Sequence, residues 1–363
     1  MKKVLFLILF FLASFVLNAQ GKYASFHPGE IWNDNNGVHI NAHGGGFIKY
    51  NNKYYWFGEH KIGGGIGNTA QVGVHCYSSE DLYNWKDEGI ALKVVEDNPS
   101  HDIAKGCILE RPKVIYNEKT QTFVMWFHLE LKGHGYKAAR TGVATAKNIA
   151  GPYTFIKSMR PNAGYWPMNG EFLKDRPIVE EGKAKHPDTL NYVKRDFETG
   201  QMSRDMTLFV DDDGSAYHIY TSEENSTIHI ALLTDDYLSH TGKYVRLFIN
   251  RYMEAPSIFK KDNKYYFIAS DCTGWNPNAA RSAVADNIFG PWKELGNPAV
   301  GTDSATTFRS QSTFLLQESD NIIYIGDRWT PRNPIDGRYI WLPVEFENGR
   351  PVFKWHDEWK LKE

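Results

Sequence analysis

The chain has 363 residues, of which 42% are hydrophobic and 14% aromatic, and this composition excludes a disordered protein. A balance of 41 basic against 43 acidic residues gives a formal charge of −2, which excludes the strongly basic surface of a nucleic-acid-binding protein. The 3 cysteines (Cys76, Cys107 and Cys272) are too few and too scattered for a disulfide framework or a cysteine-based zinc site.

The first 19 residues are predicted to be a secretory signal peptide. Two lysines precede an apolar run from Val4 to Leu17, and the small residue Ala19 follows it. The run is shorter than the ~20 residues of a membrane span, and an uncleaved anchor is the alternative. We expect a secreted or periplasmic protein whose mature chain, residues 20–363, forms one domain without a membrane span.

The mature chain contains a five-fold repeat of two short strands joined by a polar turn. The second strand of each pair is rich in aromatic residues. The pairs are 43–48 with 54–57, 110–115 with 123–127, 204–209 with 217–220, 254–259 with 265–268, and 310–314 with 322–325. Short strands separated by Asn, Asp and Gly turns are typical of hairpins. The repeat predicts an all-β fold, a five-bladed β-propeller around a central channel, with an open β-sandwich as the alternative.

In a propeller, the starts of the innermost strands gather at one end of the channel. Aligning the repeats brings three carboxylates to such starts: Glu110, Asp205 and Glu254. Glycosidases use paired carboxylates, one of which stays protonated near neutral pH to protonate the leaving oxygen. Because aromatic rings stack on sugar faces, Trp126, Trp275 and Trp329 are candidate sugar contacts. The pattern therefore favours cleavage of glycosidic bonds.

The chain resembles glycoside hydrolase family 43, and within it the exo-β-1,3-galactosidase (galactan 1,3-β-galactosidase) group. The phrases that carry the resemblance are 42–46 (AHGGG), 110–114 (ERPKV), 203–206 (SRDM), 254–256 (EAP) and 310–314 (SQSTF). The resemblance covers nearly the whole mature chain. It implies a five-bladed propeller that acts as an inverting exo-glycosidase on β-1,3-linked galactan, such as that of arabinogalactan.

The resemblance also implies roles for four residues. Glu254 matches the general acid, and Asp205 matches the carboxylate that tunes and orients that acid. Most of the family has an aspartate base in the first repeat, where this chain has His43 followed by three glycines. Gln311 matches the residue that positions or activates water in the galactosidase group. Glu110 is the alternative for that role, or else a ligand of substrate hydroxyls.

The substrate is expected to be an oligosaccharide or polysaccharide. The predicted substrate-binding residues are His43, Glu59, Trp126, Asn225, Thr273, Trp275, Arg328 and Trp329. The glycines 44–46 are expected to leave room for a sugar, and the long segment 158–202 is a candidate lid. No cofactor is predicted, and no metal ligands are assigned; a structural calcium ion, which some relatives hold in the channel, stays open.

Two other functions remain open from the sequence. An α-L-arabinofuranosidase or β-galactofuranosidase of the same family would use the same acid. A non-catalytic carbohydrate-binding propeller would explain the missing first-repeat base. Against the latter, a binding site does not need Glu254 beside Asp205, whose mutual repulsion is costly without a catalytic purpose.

Overall fold

The computed structural model describes residues 23–179 and 191–362. The predicted signal peptide therefore lies outside the described residues. Within them the chain is nearly all strand, with one short α-helix, α1 (Tyr192–Arg195), and 3-10 helices at Glu171–Asp175 and Ser304–Arg309. The strands are β1 (His43–Tyr50), β2 (Lys53–His60), β3 (Gly73–Ser79), β4 (Lys86–Lys93), β5 (Ile108–Asn117), β6 (Thr122–Glu130), β7 (Arg140–Ala146), β8 (Thr154–Met159), β9 (Met206–Val210), β10 (Ala216–Ser222), β11 (Thr227–Leu233), β12 (His240–Leu247), β13 (Met253–Lys261), β14 (Lys264–Asp271), β15 (Arg281–Ala285), β16 (Lys293–Gly296), β17 (Ala299–Val300), β18 (Gln311–Glu318), β19 (Asn321–Arg328), β20 (Arg338–Pro343), β21 (Glu345–Glu347) and β22 (Arg350–Lys354).

Tight turns join the two strands of each predicted pair. Asn51 and Asn52 between β1 and β2 have φ of 49° and 61°, and Asp262 and Asn263 between β13 and β14 have φ of 51° and 59°. Two successive positive φ values are the signature of the hairpin turn whose twist matches that of the strands, and Asn and Asp tolerate this conformation. The turn chemistry read from the sequence thus produces antiparallel hairpins in the predicted places.

The described strands form six sheets, so the prediction of a five-bladed propeller is wrong. Four sheets have four strands each, in the orders β1-β2-β3-β4, β5-β6-β7-β8, β12-β11-β10-β9 and β13-β14-β15-β16; the other two are β18-β19-β20 and β17-β22-β21. The last of these was missed because it is not a hairpin repeat: β17 has two residues and pairs in parallel with β22 near the end of the chain.

The innermost strands β1, β5, β9, β13 and β18 contact one another around the channel. Aromatic side chains fill the space between neighbouring sheets; Trp56, Trp85 and Trp341, for example, are fully buried where the first sheet meets β18-β19-β20. An antiparallel bridge between Phe26 and Trp359 ties the beginning of the described chain to its end. None of the helices in the described ranges is long and apolar enough to cross a membrane.

The channel has two different ends. At one end the inner strands finish, and a cavity of about 660 Å³ is lined there by residues such as Ile115, Val210 and Lys260. At the other end the inner strands begin, and the predicted site residues cluster there. The described part of segment 158–202 does not line the mouth where the site residues cluster. Met168 and Asn169 instead hydrogen-bond to β12, so the lid prediction is not supported for the described residues.

Candidate active site

Three of the five inner strands, β1, β5 and β13, begin with the same unusual backbone shape. Gly44, Arg111 and Ala255 all have positive φ, of 60°, 57° and 52°. The pairing of each of these three strands with its neighbour shifts register at this point. Such bulges re-aim the side chains next to them. The ring of inner strands brings residues that lie far apart in the chain to one mouth, and the bulges orient the side chains at three of the strand starts.

A cavity of about 430 Å³ lies at this mouth of the channel. It brings together eight of the predicted site residues: Glu59, Glu110, Asp205, Asn225, Glu254, Trp275, Gln311 and Trp329. Seven further residues line it: Asn68, Arg111, His128, Tyr136, Arg204, Cys272 and Gly274. The central expectation from the repeat, that the three carboxylates and Gln311 share one pocket, is confirmed as geometry.

Four predicted substrate-binding residues do not line the cavity. His43 is buried behind Trp329, with the ring centroids 4.8 Å apart. Trp126 is fully buried, and its indole N–H donates to the carbonyl of Tyr237. Thr273 uses its hydroxyl within its own loop, and Arg328 lines a separate cavity, where it donates to a backbone carbonyl. Each side chain is thus engaged in the scaffold.

The three glycines of the first repeat do not make room for a sugar, contrary to the prediction. A Cβ on Gly44 would lie 2.1 Å from Oε1 of Glu59, and one on Gly45 would lie 2.3 Å from Nε1 of Trp56. A Cβ on Gly46 would lie 2.4 Å from Cδ of Lys113. The space that the glycines leave is therefore filled by neighbouring protein side chains.

Glu254 has surroundings that favour its protonated form far more than water does. Burial raises its pKa to about 7, and the negative charge of Asp205 adds to the effect. Arg111 opposes this rise, while Glu110 supports it. Because its pKa lies near neutrality, Glu254 can hold a proton at neutral pH and release it to a substrate.

Arg111 links Asp205 to Gln311. Its Nη2 donates to Oδ2 of Asp205 at 3.0 Å and to Oε1 of Gln311 at 2.6 Å. The guanidinium group is almost fully buried, and the same Asp205 oxygen also accepts from the backbone N–H of Ala255 at 3.1 Å. Charge-assisted hydrogen bonds of this kind fix both partners in orientation.

Gln311 has its amide orientation determined by its donors. Besides Arg111, the indole N–H of Trp329 donates to Oε1 at 3.1 Å, and Nε2 donates to the hydroxyl of Ser270 at 3.0 Å. A flipped amide would place its NH₂ group against two donors. The amide nitrogen therefore retains one N–H that no described residue accepts, and Gln311 lines the cavity.

Glu110 belongs to a buried chain of charges. His128 donates through Nδ1 to Glu110 at 3.1 Å and through Nε2 to the fully buried Glu130 at 3.0 Å. Burial opposes the ionised forms, but the two hydrogen bonds outweigh it and raise the pKa of His128 to about 9. The same pairing outweighs burial at Glu110 and lowers its pKa to about 2. Tyr136 donates to the other Glu110 oxygen at 2.8 Å.

A metal ion does not fit the group of ligand atoms at this mouth. Glu110, His128 and Asp205 each offer one atom within 4.8 Å of the others. His128, however, donates through both ring nitrogens and has no lone pair left for a metal. Calcium also prefers six to eight oxygen ligands. The two carboxylates of this group already have cationic partners in the protein, His128 for Glu110 and Arg111 for Asp205.

Two tryptophans form an aromatic wall of the cavity. Trp329 is held by its contact with His43 and its hydrogen bond to Gln311. Trp275 meets it edge-on at a centroid distance of 6.0 Å and is 51% exposed. A large aromatic face exposed to this extent at a polar cavity is suited to stacking against a sugar ring.

The sequence prediction gave no role to Arg111, His128, Tyr136 and Cys272. A signal existed for Arg111, since the repeat alignment placed it at the same position as Asp205 and Gln311. His128 pairs directly with Glu110 across β5 and β6, which the hairpin register would have revealed. Tyr136 and Cys272 lie in loops outside the repeat, where no pattern marks them.

Comparison with known proteins finds one family. A family model described as glycosyl hydrolases family 43 matches residues 182–322. A solved family 43 β-1,3-galactosidase with bound galactodeoxynojirimycin is 52% identical to this chain, over 93% of this chain and 100% of that one, with a TM-score of 0.89. An exo-β-1,3-galactanase variant from Phanerochaete chrysosporium with β-1,3-galactotriose is 32% identical, over 94% of this chain and 69% of that one, with a TM-score of 0.77.

A more distant relative has another named activity. A β-D-galactofuranosidase of Aspergillus niger (strain ATCC MYA-4892 / CBS 513.88 / FGSC A1513) is 28% identical over 247 residues, which is 65% of this chain. The match spans 61% of that protein, less than two thirds of its length.

Proposed function

Because the chain belongs to glycoside hydrolase family 43, and is therefore a glycoside hydrolase, we propose that it releases galactose from the end of β-1,3-linked galactan. The observation that carries this proposal is the cavity that Glu254, whose pKa is about 7, lines together with Asp205 and Gln311. The substrate class rests on the galactosidase and galactanase named among the similar structures.

Glu254 is the proposed general acid. Its proton passes to the glycosidic oxygen as the bond from that oxygen to the anomeric carbon breaks. Asp205 raises the pKa of Glu254 through its charge and is itself held by Arg111. Asp205 therefore acts on the acid and on its orientation without transferring the proton.

Gln311 is the proposed water-positioning residue of an inverting reaction. Both lone pairs of its Oε1 face donors, namely the Arg111 guanidinium and the Trp329 indole. The imidic tautomer would place an O–H there, against those two donors. The free N–H of the amide supports orientation of water rather than removal of its proton.

Glu110 is the proposed acceptor of substrate hydroxyls. It is ionised at neutral pH, and its low pKa makes it a weak base for activating water. A buried carboxylate with fixed partners is well suited to selecting a sugar by its hydroxyl pattern. Tyr136 and Trp275 supply a further hydroxyl and an aromatic face in the same cavity.

A furanosidase is the second candidate, favoured by the similarity to the Aspergillus niger β-D-galactofuranosidase. The two activities differ in ring size of the released sugar. Incubation with a panel of defined galactopyranosides, galactofuranosides and arabinofuranosides separates them. We expect release from β-1,3-galactobiose, and NMR should detect α-galactose as the first product if the anomeric configuration inverts.

The test of the acid is Glu254→Gln. We expect it to lower kcat/KM on β-1,3-galactobiose by roughly 10² to 10⁴, the usual contribution of general acid catalysis. Activity on a dinitrophenyl galactoside should fall far less, because that leaving group departs without protonation. The matched control is Glu345→Gln at the surface, where the side chain is 45% exposed. Galactobiose hydrolysis at the wild-type rate by the Glu254 variant would refute the assignment.

We also propose that the protein acts outside the cytoplasm. The support is the positive, apolar and small-residue order of the first 19 residues. Expression of the full chain in a bacterial host, followed by N-terminal sequencing of the mature protein, tests this. A new N-terminus near Gln20 supports it, whereas an intact Met1 in a cytoplasmic fraction contradicts it.

A further inference from the structure

The two oxygens of Glu254 have different surroundings. Oε1 accepts a hydrogen bond from Nδ2 of Asn225 at 2.9 Å and from the thiol of Cys272 at 3.1 Å. Oε2 has no hydrogen-bond partner within 23–179 and 191–362, and Glu254 lines the cavity. A proton on Oε1 would meet two donor hydrogens, while a proton on Oε2 meets open space.

We propose that Asn225 and Cys272 are positioning residues that hold the proton of Glu254 on Oε2, the oxygen from which it can reach a substrate. The proposal rests on the proposed function of Glu254 as general acid. In the step it serves, the proton moves from Oε2 to the glycosidic oxygen, the sugar–oxygen bond breaks and the leaving group departs as an alcohol. Water adds its hydroxyl to the anomeric carbon, and its remaining proton restores the acid.

The amide of Asn225 is held so that its NH₂ group faces Glu254. Nη1 of Arg204 donates to Oδ1 of Asn225 at 3.0 Å, which fixes which end of the amide points to the acid. Arg204 in turn pairs with Glu224 at 3.3 Å. A flipped amide would lose the Arg204 bond and bring the Asn225 oxygen against Oε1 of Glu254.

The backbone that carries Asn225 is equally constrained. Residues 223–225 all have positive φ, of 52°, 56° and 66°. This strained run is fixed by Glu223, whose buried carboxylate accepts two hydrogen bonds of 2.6 Å from Arg246. Backbone strain held by a buried ion pair next to a functional side chain is consistent with a positioning role.

Cys272 is held at the end of β14. Its backbone N–H donates to Oδ1 of Asp271 at 2.9 Å, and Asp271 forms an ion pair with Arg281 at 2.7 Å. Burial, followed by the negative charge of Glu254, raises the pKa of the thiol to about 12. The thiol therefore keeps its hydrogen and remains a donor.

Neutral donors suit this task better than a cation would. The charged groups that face Glu254 are Asp205, Glu110 and Arg111, of which only Arg111 is positive. A lysine or arginine bonded directly to Oε1 would stabilise the carboxylate and lower its pKa. An amide and a thiol orient the acid while disturbing its protonation much less.

The experiment compares Cys272→Ala, which removes the donor, with Cys272→Ser, which keeps one. On β-1,3-galactobiose we expect the kcat/KM of the alanine variant to fall about fivefold, because one neutral hydrogen bond contributes about 1 kcal/mol. The alkaline limb of its pH–activity profile should move to higher pH, because the hydrogen bond from Cys272 lowers the pKa of Glu254 and has been removed. On the dinitrophenyl galactoside the loss should be smaller. The serine variant should resemble the wild type on both substrates.

The control is Cys76→Ala, a matched change in the buried core of the first sheet, which should leave both activities of the folded enzyme unchanged. Equal losses of the Cys272→Ala variant on both substrates, with an unmoved alkaline limb, would overturn the proposal while leaving Glu254 as the acid. Full galactobiose activity of Glu254→Gln would instead refute the proposed function itself.

Discussion

Replacing Asp205 by Asn should shift the pH dependence of the reaction downwards. The pKa of Glu254 stands at about 7 against the ordinary 4.5, with burial as the larger cause and Asp205 as the second. Removing the Asp205 charge should lower that pKa by about 1, equivalent to about 1.4 kcal/mol. Arg111 would lose its carboxylate partner, and its unbalanced charge acts in the same direction.

The direction of the pKa shift determines the pH at which the loss of activity is largest. Glu254 is active when protonated, so a lower pKa removes activity from the alkaline side. At pH 7 the protonated fraction should fall from about one half to about one tenth, whereas at pH 5 both enzymes remain mostly protonated. The ratio of kcat/KM at pH 7 to that at pH 5 should therefore fall about fivefold in the variant.

The assay is kcat/KM on β-1,3-galactobiose from pH 4 to pH 9, with the melting temperature measured at each pH. Asp235→Asn is the matched control, because that side chain is 90% exposed and pairs with the exposed Lys119. A uniform loss at every pH would mean that Asp205 only positions other groups. An alkaline limb that stays in place or moves upwards would refute the electrostatic reasoning.

Three further results are expected. Trp275→Ala should weaken binding of galacto-oligosaccharides by about 1 kcal/mol, because a sugar ring that covers the exposed indole face removes apolar surface from water at ~25 cal/mol per Å². The effect on an aryl galactoside should be smaller, and equal KM values for variant and wild type would contradict the stacking. Glu223→Gln should lower the free energy of unfolding in urea by about 3 to 5 kcal/mol, because it leaves the buried Arg246 without its carboxylate, while exposed Glu347→Gln should change little. Iodoacetamide should alkylate Cys272 slowly at pH 8 and faster in Glu254→Gln, since removing that negative charge lowers the pKa of the thiol; mass spectrometry reads the site, and equal rates would contradict the contact.

The repeat in the sequence was sufficient to predict the hairpins and the residues that meet at the channel mouth. The innermost strands of a propeller begin at the same end of the channel, so the repeat alignment placed Glu110, Asp205, Glu254 and Gln311 together without coordinates. The sixth sheet could not be predicted, because a two-residue strand pairing in parallel with the chain end has no hairpin pattern.

The sequence also could not predict which residues of a strand lie close enough to the channel mouth to reach the cavity. Trp126 and His128 lie two residues apart in β6 and share a face, yet only His128 reaches the cavity. Trp126 lies further from the channel mouth, where residues of the neighbouring sheet cover it. Loop residues such as Tyr136 and Cys272 reach the cavity through the paths of their loops, which periodicity does not describe.

The carboxylate that occupies the space above Gly44 restricts which residue this position can carry. An aspartate here would bring a Cβ to 2.1 Å from Oε1 of Glu59, at a φ of 60° that side chains rarely adopt. Glu59 cannot simply be truncated either, because it is the buried partner of Lys61 at 2.6 Å. A carboxylate at the start of the first repeat therefore requires coordinated changes at Gly44, Glu59 and Lys61. No single substitution at Gly44 can supply it.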